Sequence, residues 1–267
     1  MKTVNFLSRL FITILIGIAI TGCTHLQNHD VIYQTSTINS LLAGVYDGAT
    51  TYSTVKKHGD FGLGTFNGLD GEMVGLEGEF YQIKVDGTVH PVNDSMKTPF
   101  VMVTFFEPDQ SIQLIKTLDY KQLERYLDTL LPSKNIFYAV KIEGVFSYIK
   151  ARSVPVQHKP YPPLVEAVKK QAIFEFHDIE GTIVGFRSPD YVEGINVPGY
   201  HLHFIAKDRK AGGHLLDCRL QNVTAKIDSN HGLYMVLPQS GDFYKVDLAQ
   251  KKTKELDKVE KEDFQKK

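Results

Sequence analysis

The fold of this chain is decided by residues 199–206, Gly-Tyr-His-Leu-His-Phe-Ile-Ala, followed closely by Gly-Gly-His at residues 212–214. Alternate side chains of a β-strand point to the same face, so His201 and His203 share one face. The segment between the two stretches is polar and ends in a glycine pair, which favours a chain reversal. His214 then opens the neighbouring strand, and the sequence predicts a two-stranded ribbon with three imidazoles on one side.

Three converging imidazoles indicate a metal site in the C-terminal half of the chain. Three protein nitrogens with an open fourth position are typical of a catalytic zinc ion. The chain has only two cysteines, Cys23 and Cys218, so a closed structural site built on thiolates is not expected. Imidazole ligands also suit copper, iron or nickel, and His-x-His pairs occur as ordinary surface or core residues. The residues alone leave these alternatives open.

Residues 1–23 have the pattern of an export signal. Lys2 and Arg9 are followed by an apolar run over residues 10–20, which is shorter than the roughly 20 residues needed to cross a bilayer. The segment ends in Ile-Thr-Gly-Cys, which resembles the bacterial lipobox, where the cysteine becomes lipidated. We therefore expect an exported lipoprotein anchored through Cys23 on the outer side of the cytoplasmic membrane. A secreted protein with a plain signal peptide and an uncleaved anchor are the alternatives.

Composition and charge exclude several classes of partner. The formal net charge is −1, and no basic stripe with interleaved aromatic residues is present, so no nucleic-acid partner is expected. Beyond the export signal no stretch is apolar enough to enter a membrane, which leaves the N-terminal lipid as the expected membrane contact. With Cys23 lipidated, Cys218 has no thiol partner, so burial and not disulfides must stabilise the fold.

Short strand-like runs separated by turn pairs outnumber the helices and show no βαβ regularity. This pattern predicts an α+β fold dominated by antiparallel sheet. Hairpin turns are predicted at Asp86-Gly87, Glu143-Gly144 and Glu180-Gly181. Further strands are predicted over residues 99–106, 192–206, 214–227, 233–237 and 243–248.

Three helices are predicted, and a proline cluster suggests a domain boundary. The clearest helix covers residues 119–131, where leucines recur at helical spacing; the others cover 37–45 and 164–171. Prolines are frequent between residues 150 and 163. We therefore predict two mixed α/β domains, an N-terminal one over residues 24–155 and a β-rich, metal-binding one over 156–267.

Two further regions carry candidate functional groups. Residues 62–72 are rich in glycine and include Glu72, which could move a proton beside a metal ion, although the glycines alone are typical of a tight loop. Arg152 follows a predicted strand, and its guanidinium suits a carboxylate substrate because it can donate to two oxygens. An exposed surface charge is the alternative interpretation of Arg152.

Several longer motifs match a known family in the same order. The chain resembles the bacterial alpha-acetolactate decarboxylase family along nearly all of the sequence after residue 23. The motifs are Leu-Leu-Ala-Gly-Val-Tyr-Asp-Gly (41–48), His-Gly-Asp-Phe-Gly-Leu-Gly-Thr-Phe-Asn (58–67), Leu-Asp-Gly-Glu (69–72), Lys-Thr-Pro-Phe (97–100), Gly-Phe-Arg-Ser-Pro (185–189), Gly-Ile-Asn-Val-Pro-Gly-Tyr-His (194–201) and Gly-Gly-His-Leu-Leu-Asp (212–217).

The resemblance implies a set of site residues. It implies that a zinc ion is held by three histidines and that four further residues serve the reaction. The histidines are His201, His203 and His214; the other four are Thr65, Glu72, Arg152 and Glu260. The segment over residues 251–267 is otherwise typical of a solvated helix or a frayed tail. If Glu260 belongs to the site, this tail folds back towards the histidines.

The resemblance also implies an activity: zinc-dependent decarboxylation of (S)-2-acetolactate to (R)-acetoin. The metal would stabilise an enediolate that a glutamate then protonates, with no thiamine or pyridoxal cofactor. A two-domain fold and a homodimer are implied as well. Two alternatives stay open, namely another three-histidine zinc lyase or hydratase and a surface lipoprotein that binds metal without catalysis.

Overall fold

Two antiparallel-dominated sheets make up most of the described chain, which is residues 29–261 of a computed structural model. Among the described strands of the first sheet one pair is parallel, and it joins Val31–Thr35 to Gly232–Val236; the other pairs are antiparallel. In spatial order the first sheet consists of β16 (Gly232–Val236), β1 (Val31–Thr35), β8 (Val101–Thr104), β3 (Phe61–Thr65), β4 (Glu72–Leu76), β5 (Glu79–Ile83) and β6 (Val89–Pro91).

The second sheet is antiparallel between all its described neighbours and partly closes on itself. In spatial order it consists of β10 (Leu118–Asp119), β14 (Gly212–Leu220), β13 (Gly199–Ala206), β12 (Ala172–Ser188), β11 (Phe137–Ser153), β15 (Val223–Asn230) and β9 (Gln110–Leu114). Because β14 also pairs with β11, the strands β11 to β14 form a closed ring. A short ribbon of β2 (Thr50–Thr51) and β7 (Lys97–Thr98) completes the strands.

The helices are few and mostly short, as expected for the predicted α+β fold, which is confirmed. The longest, α3 (Tyr120–Leu130), begins at a capping box formed by Asp119 and Gln122 and confirms the helix predicted there. The other helices are α1 (Ile38–Leu42), α2 (Tyr52–Val55), α4 (Leu164–Ala167) and α5 (Thr253–Lys261). Within residues 29–261, none of these helices has the length and apolar character needed to cross a membrane.

Two of the three predicted hairpins are wrong. The turn at Asp86-Gly87 does join β5 to β6, but β11 and β12 each continue unbroken through their predicted turns. Gly144 and Gly181 lie directly opposite each other in these strands. A Cβ atom would lie 2.8 Å from the Val223 side chain at Gly144 and 2.6 Å from the Phe204 ring at Gly181. The glycines therefore allow close packing inside long strands instead of reversing the chain.

Three predicted strands also differ from the structure. The strand predicted over residues 214–227 is two strands, β14 and β15, with a bend at Gln221 and Asn222 between them. Residues 243–248 form no strand; a 3₁₀ turn, Gly241–Tyr244, lies there instead. The strand predicted from residue 192 begins only at Gly199, because a 3₁₀ turn and Pro198 precede it and proline cannot donate to a ladder. The domain boundary at residue 155 stays a prediction.

The hydrophobic core joins the two sheets and fixes the C-terminal helix. Ile32 and Phe61 of the first sheet share one buried cluster with Phe186 and Ile205 of the second. A separate cluster contains apolar residues of α1, α4 and α5, including Leu256. The tail of the chain is thereby held against two helices from other parts of the sequence, next to the histidine strands.

Candidate active site

The three histidines converge as their spacing predicts. His201 and His203 lie on β13, and His203 is directly opposite His214 of β14. The ring centroids are 5.1 to 5.3 Å apart. One ligand nitrogen from each residue lies within 4.8 Å of the others, and all three side chains are buried. This cluster in the C-terminal half of the chain can hold a metal ion.

The donor set of the cluster fits a metal ion. Burial, assisted by the nearby charge of Arg152, lowers the pKa of His201 to about 3, and burial lowers the pKa of His203 and His214 well below the usual value. The imidazoles are therefore neutral, as metal ligands must be. His203 Nδ1 donates to the main-chain oxygen of Met73 at 2.8 Å, which leaves a lone pair on Nε2. That buried Nε2 has no hydrogen-bond partner among the described residues.

Two carboxylates approach the cluster, one from strand β4 of the first sheet and one from helix α5. Glu72 Oε2 lies 3.7 Å from His203 Nε2. Glu260 Oε2 lies 3.6 Å from His201 Nε2 and 3.8 Å from His214 Nε2. Burial raises the pKa of Glu72 to about 7, with Arg152 opposing and Glu260 reinforcing the shift. Glu72 can therefore carry a proton near neutral pH, as a general acid must.

Glu72 is placed by the turn between β3 and β4. Thr65, the last residue of β3, lies directly opposite Glu72, the first residue of β4. The hydroxyl of Thr65 donates to the main-chain oxygen of Gly71 at 2.7 Å. Gly71 has a φ of +87°, a conformation that disfavours other residues. The glycine-rich stretch is thus both a tight turn and the support of a site residue.

Arg152 is buried beside the cluster and is not a surface charge. It lies on β11 opposite His214 and is only 4% exposed. Its Nη1 donates to Oε1 of Gln171 at 3.3 Å. Its Nε, also buried, has no hydrogen-bond partner in the described part of the chain. A buried cation with a free N–H group can bind an anionic ligand through charge-assisted hydrogen bonds.

The C-terminal helix brings Glu260 to the site. On α5, Leu256 and Val259 are buried while Glu255 is exposed, so the helix places Glu260 and not Glu255 next to the histidines. The main-chain oxygen of Glu260 also lies 3.3 Å from His214 Nε2. The tail is therefore a helix with a solvated face, as its composition indicates, and a second face that closes the site.

All seven sequence-predicted site residues meet at one cavity of about 40 Å³. Cys23 lies outside the described residues. Sequence reasoning missed the apolar walls of the cavity, which come from α1, α4, α5 and the loops near them. These wall residues are Ile38, Leu41, Leu69, Phe100, Val154, Leu164 and Val259. Their helical spacing on α1 and α5 was the available signal, but spacing alone does not tell which surface a helix covers.

The fold and the site define an α+β protein with a buried histidine cluster able to hold a metal ion, next to groups suited to proton transfer and anion binding. The family model for alpha-acetolactate decarboxylase matches residues 32–250. The alpha-acetolactate decarboxylase of Methanosarcina mazei is 55% identical over 232 residues, which cover 87% of this chain and 81% of that protein. The Bacillus subtilis enzyme is 47% identical over 217 residues, 81% of this chain and 85% of that protein.

A solved structure agrees with the sequence matches. The crystal structure of alpha-acetolactate decarboxylase from Bacillus subtilis strain 168 superposes with a TM-score of 0.85 at 45% identity, covering 87% of this chain and all of that one. The chain belongs to the alpha-acetolactate decarboxylase family and is a carboxy-lyase. The resemblance seen in the sequence is thereby confirmed. Glu260 lies beyond the matched stretch, so its place in the site rests on the packing of α5.

Proposed function

We propose that this protein converts (S)-2-acetolactate to (R)-acetoin and carbon dioxide, with a zinc ion held by His201, His203 and His214. The observation that carries the proposal is a single buried cavity that combines three neutral imidazoles, two carboxylates and a guanidinium. Family membership supports acetolactate as the substrate. The three-nitrogen donor set supports zinc as the metal.

The zinc ion, when bound, supplies Lewis-acid stabilisation for negative charge that develops on the ketone and hydroxyl oxygens of the substrate. The substrate's own carbonyl accepts the electron pair that the breaking carbon–carbon bond releases. No thiamine or pyridoxal cofactor is therefore needed as an electron sink. Loss of carbon dioxide leaves an enediolate, which must take up one proton on carbon to become acetoin.

Arg152 binds and orients the substrate carboxylate in this proposal. Its guanidinium is buried in the wall of the cavity, where a charge-assisted hydrogen bond is stronger than in water. Holding the carboxylate fixes the scissile bond relative to the ketone, which lowers the entropic part of the barrier. The apolar walls exclude water from the same space.

A carboxyl group of Glu72 or Glu260 delivers the proton. The raised pKa of Glu72, about 7, keeps a large fraction of this group protonated near neutral pH. Because each glutamate approaches the cluster from its own side, protonation comes from one face and gives a chiral product. Thr65 lines the cavity and supports the turn that carries Glu72 through its bond to Gly71.

The proposal is tested by supplying racemic acetolactate to purified zinc-loaded protein without residues 1–23. Acetoin is followed by colour reaction and by circular dichroism, with and without a chelator. We expect one enantiomer of acetoin to form at a rate far above that of the spontaneous reaction. The chelator should abolish this activity. Protein that retains zinc but forms no acetoin above the spontaneous rate would contradict the proposal.

We also propose that the protein is exported, is anchored by a lipid on Cys23, and is a homodimer. The N-terminal sequence supports the first two statements, and the family resemblance supports the third. Labelling of cells with a radioactive fatty acid should mark the wild-type chain and not Cys23→Ala. Light scattering of the chain without residues 1–23 should give the mass of two copies; a monomer at all concentrations would rule out the dimer.

A further inference from the structure

We propose that Gln171 is a positioning residue for Arg152, which it aims at the substrate carboxylate. The inference rests on the proposed function, in which Arg152 binds that carboxylate. Gln171 is not among the residues that line the cavity, whereas Arg152 is. It acts through its hydrogen bond to the guanidinium.

The contact is buried and its backbone is fixed. Gln171 is 2% exposed and Arg152 is 4% exposed. Gln171 follows a 3₁₀ turn, Val168–Lys170, and its N–H donates to the main-chain oxygen of Val168 at 3.0 Å. The next residue, Ala172, begins β12, whose first residues pair with the end of β11, where Arg152 lies. The main chain at Gln171 is thus held by two elements, from which the side-chain amide reaches the guanidinium.

A guanidinium offers five N–H donors in a rigid plane, and one bond to a fixed acceptor restricts the rotation of that plane. Nη1 of Arg152 is bound to Gln171, whereas the buried Nε has no protein partner among the described residues. The Nε donor is therefore available to a ligand carboxylate, which accepts charge-assisted hydrogen bonds from a guanidinium.

The neutrality of the amide is as important as its position. A carboxylate at residue 171 would pair with Arg152, reduce its positive charge and compete with the substrate for the same donors. An amide oxygen accepts one hydrogen bond and leaves the full charge for the substrate. Glutamine therefore satisfies a requirement that neither an apolar residue nor glutamate would satisfy.

The test uses zinc-loaded protein and two ligands that differ in charge. One is 2-hydroxy-2-methylbutanoate, which carries the carboxylate but has no ketone to accept the electron pair; the other is acetoin, which has no carboxylate. In Gln171→Met, which keeps the side-chain volume but removes the acceptor, we expect the inhibition constant of the carboxylate to rise about tenfold. The inhibition constant of acetoin should stay within about twofold of wild type. Equal changes for both ligands would overturn the proposal.

Three variants separate positioning from general damage to the fold. Gln34→Met removes another buried glutamine, which binds Ser36, Ile195 and Asn196 away from the cavity, and should not change the ratio of the two constants. Gln171→Asn, whose shorter side chain cannot reach the guanidinium, should repeat the selective loss if Gln171→Met fails to fold. Gln171→Glu should weaken carboxylate binding at least as much as Gln171→Met; wild-type affinity there would overturn the argument from neutrality.

Failure of this inference can be told apart from failure of the proposed function. If Arg152→Lys leaves carboxylate inhibition unchanged, the role of Arg152 in the proposed function is wrong. If Arg152→Lys weakens the carboxylate and Gln171→Met does not, only the inference about Gln171 is wrong. When Gln171→Met is added to Arg152→Lys, we expect no further loss, because Gln171 acts through the guanidinium.

Discussion

Replacing Glu72 by glutamine should change how the stability of the metal-free protein depends on pH. In the folded protein burial raises the pKa of Glu72 from 4.5 to about 7. At a pH between these two pKa values, the Glu72 carboxyl keeps its proton in the folded chain and has released it in the unfolded chain. Stability therefore decreases as the pH rises through this window, which is the sign expected for an acid with a raised pKa.

The size of the effect follows from the two pKa values. A difference of about 2.5 pH units, at about 1.4 kcal/mol per unit, gives about 3 kcal/mol. Glu72→Gln removes this contribution, while the histidines of the cluster titrate in both proteins. As the pH rises from 4.5 to 7, the free energy of unfolding of the variant should therefore increase by about 3 kcal/mol relative to that of the wild type. The difference should level off above about pH 8, where Glu72 is ionised in both states.

The assay is urea unfolding of both proteins in the presence of a chelator at half-unit steps from pH 4.5 to pH 8. A matched control is Glu255→Gln, because Glu255 is an exposed acid of the same tail that carries Glu260. Because Glu255 is exposed, this variant reports what removing an acidic charge from the tail does by itself. A flat difference curve for Glu72→Gln would show that Glu72 has an ordinary pKa, and would refute its role as a proton carrier near neutral pH.

Three further changes test the site and its supports. His203→Ala should lower zinc affinity by more than tenfold in a competition with a chromophoric chelator, because it removes one of three ligands; unchanged affinity would place the metal elsewhere. Leu256→Ala should lower acetoin formation, because it removes buried contacts that hold α5, and therefore Glu260, against α1 and α4; full activity would show that α5 is dispensable. Gly181→Ala should destabilise the protein by about 1–3 kcal/mol in urea unfolding, because its Cβ would lie 2.6 Å from the Phe204 ring; wild-type stability would show that this packing can adjust.

The histidine cluster was predictable because it depends on local geometry. Alternation along β13 and one reversal after residue 206 are enough to bring His201, His203 and His214 together. The family resemblance implied that Glu72 and Arg152 belong to the same site. The helix over residues 119–131 was also predictable from local sequence, because its cap and its apolar stripe lie within one segment.

The parts that sequence reasoning did not give depend on contacts between distant segments. Gly144 and Gly181 could each have formed a turn or been part of a strand. Which of the two occurs depends on their neighbours, which come from β15 and β13. The bond between Arg152 and Gln171 joins two elements with no shared periodicity. The parallel pairing of β1 with β16 joins segments that are about 200 residues apart in the sequence. Local patterns carry no information about such partners.

The central claim is that acetoin formation depends on one metal ion bound by the histidine cluster. The most direct measurement is a titration of metal-free protein with zinc, in which acetoin formation from acetolactate and bound zinc are measured on the same samples. We predict that activity rises in proportion to bound zinc and reaches its limit at one ion per chain. Full activity before zinc is added, or one bound zinc ion per chain without activity, would contradict the claim.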